Sequence, residues 1–323
     1  MAKAIIIRAP GGPEAMVLED VDPGQPGPGQ ALIRHKAVGV NFIDVYHRTG
    51  LYPLPLPFTP GSEGAGDVLA VGPGVTNVKV GDRVAYGTSR GAYASERVID
   101  AGALVKLPDA ISYDTAAAMM LKGLTAQYLL RQTFPIKAGD TILVHAAAGG
   151  VGLILCQWGR ALGATVIGTV GSKEKAQLAS EAGAHHIIHY RDENVAERVK
   201  AITGGKMCDV VYDGVGKDTF VGSLDSLRPL GMMVSFGNAS GPVDAFNVGV
   251  LAQKGSLFLT RPTLFTYAST PEKLAAMSKD LMDAMASGAV KIAVNARYPL
   301  ADAAQAHRDL EARKTTGASV LIP

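Results

Sequence analysis

The chain has 323 residues, room for two domains of ordinary size, and 47% of them are hydrophobic, which fits a packed core and excludes a disordered protein. Its 31 Lys+Arg nearly cancel its 29 Asp+Glu, for a net charge of +2, so neither a basic surplus for nucleic acid nor an acidic solvating tail is present. Glycine stands out at 38 residues with no collagen period, while two cysteines are too few for a disulfide framework or a four-thiolate zinc site.

The opening MAKAIIIRAP does not read as a secretory signal, because Arg8 cuts its apolar run short. The first third has no helical period. Runs such as AKAIIIRA, QALIRHKAVGV, AGDVLAVG and DRVAYG are rich in Val and Ile and bounded by Pro or Gly, which predicts short strands. The segments DPGQPGPG and GLYPLPLPFTPG are loops between them. From Ser112 the pattern becomes helical (SYDTAAAMMLKGLTAQYLLRQ), with Ser112 or Asp114 as the N-cap. After Gly139 strands and helices alternate: DTILVHAAA, GGVGLILCQWGRALG, ATVIGTV, KEKAQLASEAG, HHIIHY, NVAERVKAITGG, CDVVYDGVG, a helix near FVGSLDSLR, GMMVSFGN and SLFLTRP. Apolar strands alternating with helices predict a covered parallel sheet. The uncharged run from Thr141 to Gly159 approaches the length of a membrane span, but its clustered glycines favour a buried strand, turn and helix. The helix TPEKLAAMSKDLMDAMASG, the segment YPLADAAQAHRDLEAR and a last strand, ASVLIP, form a tail expected to return to the first domain.

The clearest chemical signal is HAAAGGVG, residues 145–152, between a strand and a helix. A dinucleotide fingerprint needs small residues for a tight turn, for approach of the pyrophosphate and for helix–strand packing; Ala147, Gly149 and Gly152 stand there. The following helix offers amide N–H groups and the positive end of its dipole. An NAD site would place an acid at the tip of the next strand. This chain has Gly171-Ser172-Lys173-Glu174-Lys175, in which a hydroxyl and two lysines suit a 2′-phosphate, so NADPH is the expected cofactor. Several other features take a plainer reading. His185, His186 and His189 fall in and beside a predicted strand, His145 is a buried hydrogen-bonded histidine, Cys156 is core, and Asp213 has no forced role.

NFIDVYHRTGLYP, AGDRVAY, LKGLTAQYLL, HAAAGGVG, GTVGSKEKAQ, VVYDGVG, VSFGN, QKGSLFLTRP and KTTGASVLIP together resemble the zinc-independent quinone oxidoreductases of the medium-chain dehydrogenase/reductase superfamily. The resemblance runs in order from residue 4 to residue 323. It implies an α/β protein with a GroES-like β-barrel catalytic domain (1–122), a Rossmann doubly wound parallel-sheet domain that binds NADP(H) (123–263) and a return segment (264–323) completing the first. It also implies NADPH-dependent quinone reduction without metal, by hydride or one-electron transfer, in a homodimer, while the scarce cysteines and the start of the chain point to a cytoplasmic protein. Asn41 and Ser62 stand where zinc-dependent relatives carry ligands, and neither replaces a thiolate or an imidazole.

Carried over by position, Asn41 lies beside the nicotinamide, with Phe42, Ile43, Asp44 and Tyr46 on the same loop. Tyr46 and Tyr52 orient the acceptor or deliver a proton, or Tyr46 merely packs. Gly150 and Val151 face the pyrophosphate, and Gly171, Ser172, Lys175 and Tyr190 surround the 2′-phosphate. Phe236, Gly237 and Asn238 end a strand, Thr263, Leu264 and Phe265 follow the last strand, and Tyr128 and Arg313 match positions near the cofactor. An enone or alkenal reductase is the alternative enzyme. A structural or RNA-binding role like that of zeta-crystallin is the alternative of another class; the absence of a basic–aromatic stripe argues against RNA. The apolar strand 255–260 is expected at a sheet edge, where a dimer would cover it.

Overall fold

A computed structural model describes all of residues 1–323, which form two compact units. The first comprises Met1–Leu124, Ala268–Lys279 and Ile292–Pro323; the second comprises Thr125–Tyr267 and Asp280–Lys291.

In the first unit Ala2–Ile6 pairs antiparallel with Val17–Val21. A seven-stranded sheet runs in the order Val294–Pro299, Ala318–Ile322, Gln30–Val40, Gly64–Val71, Arg83–Tyr86 and Val105–Lys106, with Glu96–Asp100 also paired to Gln30–Val40. The alternation read from QALIRHKAVGV has a direct cause: Ala31, Ile33, His35 and Ala37 point inward, toward a core that includes Ile5, Val68, Tyr86, Tyr93 and Leu321. The last strand pairs with Val38–Val40, immediately before Asn41.

The second unit is built on six parallel strands in the order His186–His189, Thr165–Val170, Thr141–Val144, Cys208–Asp213, Leu227–Ser235 and Phe258–Thr260. Numbered along the chain this is 3-2-1-4-5-6, the doubly wound order, and its switch point lies between Thr141–Val144 and Cys208–Asp213. Phe258–Thr260 is an edge strand, and the Phe258 side chain is exposed. No helix is long and apolar enough to cross a membrane.

Four strands escape the sequence reading: Val17–Val21, Glu96–Asp100, the two-residue Val105–Lys106 and Val294–Pro299. The last merges in sequence with the helical pattern behind it, but Pro299 cannot sit inside a helix, and the helix starts only at Ala303. A larger correction concerns the segment expected as a loop around Phe42, Ile43, Asp44 and Tyr46. It is a helix, Phe42–Thr49. Asp44 at its third position accepts a hydrogen bond from the Asn41 N–H at 2.9 Å, and Gly50 ends it with φ 81°.

Candidate functional site

The glycine turn of the second unit sits at the C-terminal end of its first strand. Ala146 has φ 51°, Gly149 is extended, and the twelve-residue helix Gly150–Ala161 begins with no side-chain cap and no acid in its first turn. A Cβ on Gly152 would stand 2.3 Å from the Ala146 carbonyl oxygen, so only glycine lets the helix start this close to the turn. Gly150 and Val151 thus present an open, positive helix end.

Behind the turn lies a buried polar cluster. Ser223 Oγ donates to Asp213 Oδ2 at 2.8 Å, so His145 Nε2–H must donate to Ser223 Oγ, at 3.0 Å. His145 Nδ1 then accepts from Thr169 Oγ1, and burial holds the imidazole below its ordinary pKa, in the neutral form. The other Asp213 oxygen accepts from the backbone N–H of Val215 and Gly216, at 2.8 and 3.0 Å. Asp213 is therefore a brace for the loop after its strand.

Four of the expected phosphate-site residues come together. Ser172 caps the helix Lys173–Glu181 by accepting from the Lys175 N–H, and Glu174 lies exposed on the opening turn. The Tyr190 hydroxyl lies 2.6 Å from where a Cβ on Gly171 would be. At the neighbouring strand end, Gly237 lies against the Gly214 backbone, where a Cβ would come within 2.3 Å of the carbonyl oxygen, with Phe236 before it and Asn238 after it. Thr263 precedes the short helix Leu264–Tyr267; Leu264 is buried and Phe265 exposed. Tyr128 stacks on Tyr267 with ring centroids 4.5 Å apart, and burial raises its hydroxyl pKa. Arg313 belongs to the first unit, exposed, with φ 58° just beyond the helix Ala303–Glu311.

In the first unit the rings of Phe42, Tyr46 and Tyr52 gather, with Tyr46 and Tyr52 5.2 Å apart edge to face and Ile43 half-buried beside them. Asn41 is buried, and its Nδ2 donates to Glu63 Oε2 at 3.4 Å. Glu63, fully buried, also accepts from Lys122 Nζ at 3.1 Å and from the Leu121 N–H at 3.1 Å. Burial pushes the Glu63 carboxyl pKa up, and the Lys122 charge opposes that shift. This pair is absent from the sequence reading. Its signal is Lys122 itself, a lone charge in the apolar run AAAMMLKGLTA.

Asp44 departs from its expected role toward the cofactor, because its carboxylate turns inward. Besides the Asn41 N–H it accepts from the Tyr93 hydroxyl at 3.2 Å and from Ser62 Oγ at 3.4 Å. Arg48 donates to His307 Nδ1, so His307 Nε2–H must donate to Tyr93, whose hydroxyl passes the chain on to Asp44. Burial is the main cause that raises Asp44 to about 7, against hydrogen bonds that favour the ion. An acid raised in this way favours the folded state below its unfolded pKa, and that contribution is lost as pH rises through about 7. Wild type should therefore lose stability relative to Asp44→Asn between pH ~4 and ~7, by up to about 1.4 kcal/mol per pH unit. Denaturant midpoints of both proteins across that range check this, and parallel profiles would contradict it.

No three His, Cys, Asp or Glu side chains form a group that could hold a metal ion. His185 Nδ1 accepts from the Val166 N–H, and Cys156 and Cys208 are buried free thiols.

Residues 27–109 match the alcohol dehydrogenase GroES-like domain family, and residues 150–279 match the zinc-binding dehydrogenase family. The chain is 57% identical to a protein named quinone oxidoreductase from Pseudomonas aeruginosa, over the full length of both. It is 48% identical to a 2-haloacrylate reductase from a Burkholderia species, covering 100% of this chain and 99% of that one. Among solved structures, Escherichia coli quinone oxidoreductase complexed with NADPH superposes with a TM-score of 0.97 at 51% identity, covering 99% of this chain and 100% of that one.

Proposed function

Because the chain belongs to the quinone oxidoreductase family of the medium-chain dehydrogenase/reductase superfamily, we propose that it is an enzyme that reduces quinones with NADPH. The observation that carries this reading is the full-length identity to quinone oxidoreductases. The chain's own residues fit the cofactor. Gly152 leaves open the space a Cβ would fill, the helix end behind it is uncapped and without acids, and Gly171 has the Tyr190 hydroxyl on one side and the Ser172 cap, bonded to the Lys175 N–H, next in sequence.

When bound, NADPH supplies reducing equivalents from its nicotinamide ring. Gly150 and Val151 would hold the pyrophosphate with main-chain N–H groups, and Ser172 and Lys175 the 2′-phosphate. Phe236, Gly237, Asn238 and Thr263 to Phe265 would line the rest of the dinucleotide. On the first unit, Asn41, set by Glu63, would meet the reacting partners, while the edge-to-face Tyr46–Tyr52 pair would offer an aromatic corner against which a planar acceptor packs.

Removing one charge-assisted partner of the 2′-phosphate in Lys175→Ala should weaken NADPH about 10–100-fold and leave NADH within about twofold. Fluorescence titration of both nucleotides measures this, and equal losses would overturn the phosphate assignment. A second reading, reduction of an activated double bond, is favoured by the 48% identity to a 2-haloacrylate reductase. Turnover of short enones with quinones inert would replace the first reading with it.

We further propose a homodimer that pairs the exposed edge strand Phe258–Thr260 with its copy. Light scattering at micromolar concentration should give twice the chain mass, and a monomer mass would refute the dimer. Two buried free thiols and no disulfide suit the cytoplasm, which fractionation of the source cells tests.

A further inference from the structure

Five arginines of the first unit face a carboxylate: Arg8 with Glu19, Arg34 with Glu96, Arg48 with Glu311, Arg83 with Asp109 and Arg297 with Asp114. Arg90 and Arg97 do not. Half-buried Arg97 spends its donors on neutral oxygens, Ser89 Oγ at 3.1 Å and the Tyr86 hydroxyl at 3.5 Å. Arg90, exposed on the turn before Gly91, meets no carboxylate at all. The Arg97 guanidinium lies 3.4 Å from where a Cβ on Gly91 would be, so two uncompensated positive charges flank that glycine. The nearby His47 adds no third charge, because burial, with Arg90 assisting, holds its pKa down at about 4.

Beside these charges opens a cavity of about 340 Å³ lined by Leu54, Pro55, Phe58, Thr59, Arg90 and Gly91. That volume is at the small end of ordinary ligand pockets, which run from roughly 300 to 1,000 Å³. Its apolar wall continues the segment that carries Tyr52, and the Tyr52 ring lies 5.2 Å from Tyr46 and 6.3 Å from His47. No acidic side chain lines it.

We propose that this cavity is an acceptor subsite for an anionic substituent: the apolar body of a quinone rests on Leu54, Pro55 and Phe58, and its carboxylate or sulfonate is held by Arg90. The proposal rests on the quinone-reductase reading and names the kind of quinone. The apolar wall supplies non-directional contact, while a guanidinium supplies paired N–H donors in the plane an oxyanion needs. Arg97 adds to the local positive potential without being available as a ligand, since its own donors are engaged.

The test compares 1,4-naphthoquinone-2-sulfonate with 1,4-naphthoquinone as acceptors at low salt. The ratio of their kcat/KM values should fall about 5–20-fold in Arg90→Ala and be partly retained in Arg90→Lys. Because Arg90 is exposed, both variants are expected to fold. Calorimetric titration with 2-naphthalenesulfonate, which accepts no electrons, provides a readout independent of turnover, and its Kd should weaken by a similar factor in Arg90→Ala. An unchanged ratio, or equal sulfonate affinity in both proteins, overturns the subsite. Wild type that turns over neither quinone yet loses sulfonate binding in Arg90→Ala supports the subsite and defeats the reductase reading instead.

Discussion

Lys122→Met is expected to lower stability by about 3–5 kcal/mol, and adding Glu63→Gln is expected to restore much of that loss. Glu63 is fully buried and Lys122 nearly so. Their attraction is offset by the cost of taking both charges out of water, so the pair itself contributes little net stability. Deleting only the ammonium leaves a fully buried carboxylate without its counter-ion. A Cβ on Gly39 would already stand 2.5 Å from Glu63 Oε1. In the double variant the side-chain amide that replaces the carboxylate is neutral and still accepts from the Leu121 N–H, so no unpaired charge remains. Denaturant unfolding of the two single variants and the double variant completes the cycle. A Lys122→Met loss under about 1 kcal/mol, or a double variant no better than that single one, would show that Glu63 is not held as an ion.

The second large effect is expected at the nucleotide turn. Gly152→Val should weaken NADPH more than about 100-fold, or about 2.7 kcal/mol. The obstruction is backbone: the new Cβ would meet the Ala146 oxygen at 2.3 Å and the Ala147 carbonyl carbon and Cα at 2.9 Å. Those atoms cannot yield freely, because the Ala147 N–H is bonded to the Thr169 oxygen at 3.0 Å. The helix start must move instead, and with it the amide groups of Gly150 and Val151. Gly222 is the matched control. It lies in the helix Phe220–Asp225 with nothing within 4 Å of a Cβ, so Gly222→Ala should leave NADPH affinity alone and add up to about 1 kcal/mol of stability. Nucleotide titration and thermal unfolding separate the two variants. A Gly152→Val affinity within about fivefold of wild type would contradict the role given to the turn.

The doubly wound sheet was legible because its signals are local. Each strand is a short apolar run, each helix follows within a few residues, and the glycine turn lies where the first strand meets the first helix. Ser172 and Lys175 could be read for the same reason, being three residues apart on one helical turn. The Phe42–Thr49 helix also had local signals, Asn41 before it, Asp44 three residues on and Gly50 after it, but its aromatic and β-branched residues masked them. The chain of hydrogen bonds that sets Asp44 was not legible at all. His307 lies 259 residues from Arg48 and 214 from Tyr93. Nothing in either neighbourhood of the sequence announces the other. Lys122 and Glu63 are 59 residues apart and on different elements, so only the fold pairs them.

The pairing of the last strand with Val38–Val40 carries a consequence for how the protein is made. A ribosome releases the second unit's six strands before it has synthesised residues 318–322, so that unit can complete its sheet while still tethered. The first unit cannot. Its central strand waits, with one edge unpaired, for a partner that lies beyond the whole second unit in the sequence, and His307 and Glu311 also arrive late. The Asn41 helix therefore acquires its full support only after the second unit has been synthesised, so the acceptor-side residues mature later than the nucleotide-side ones.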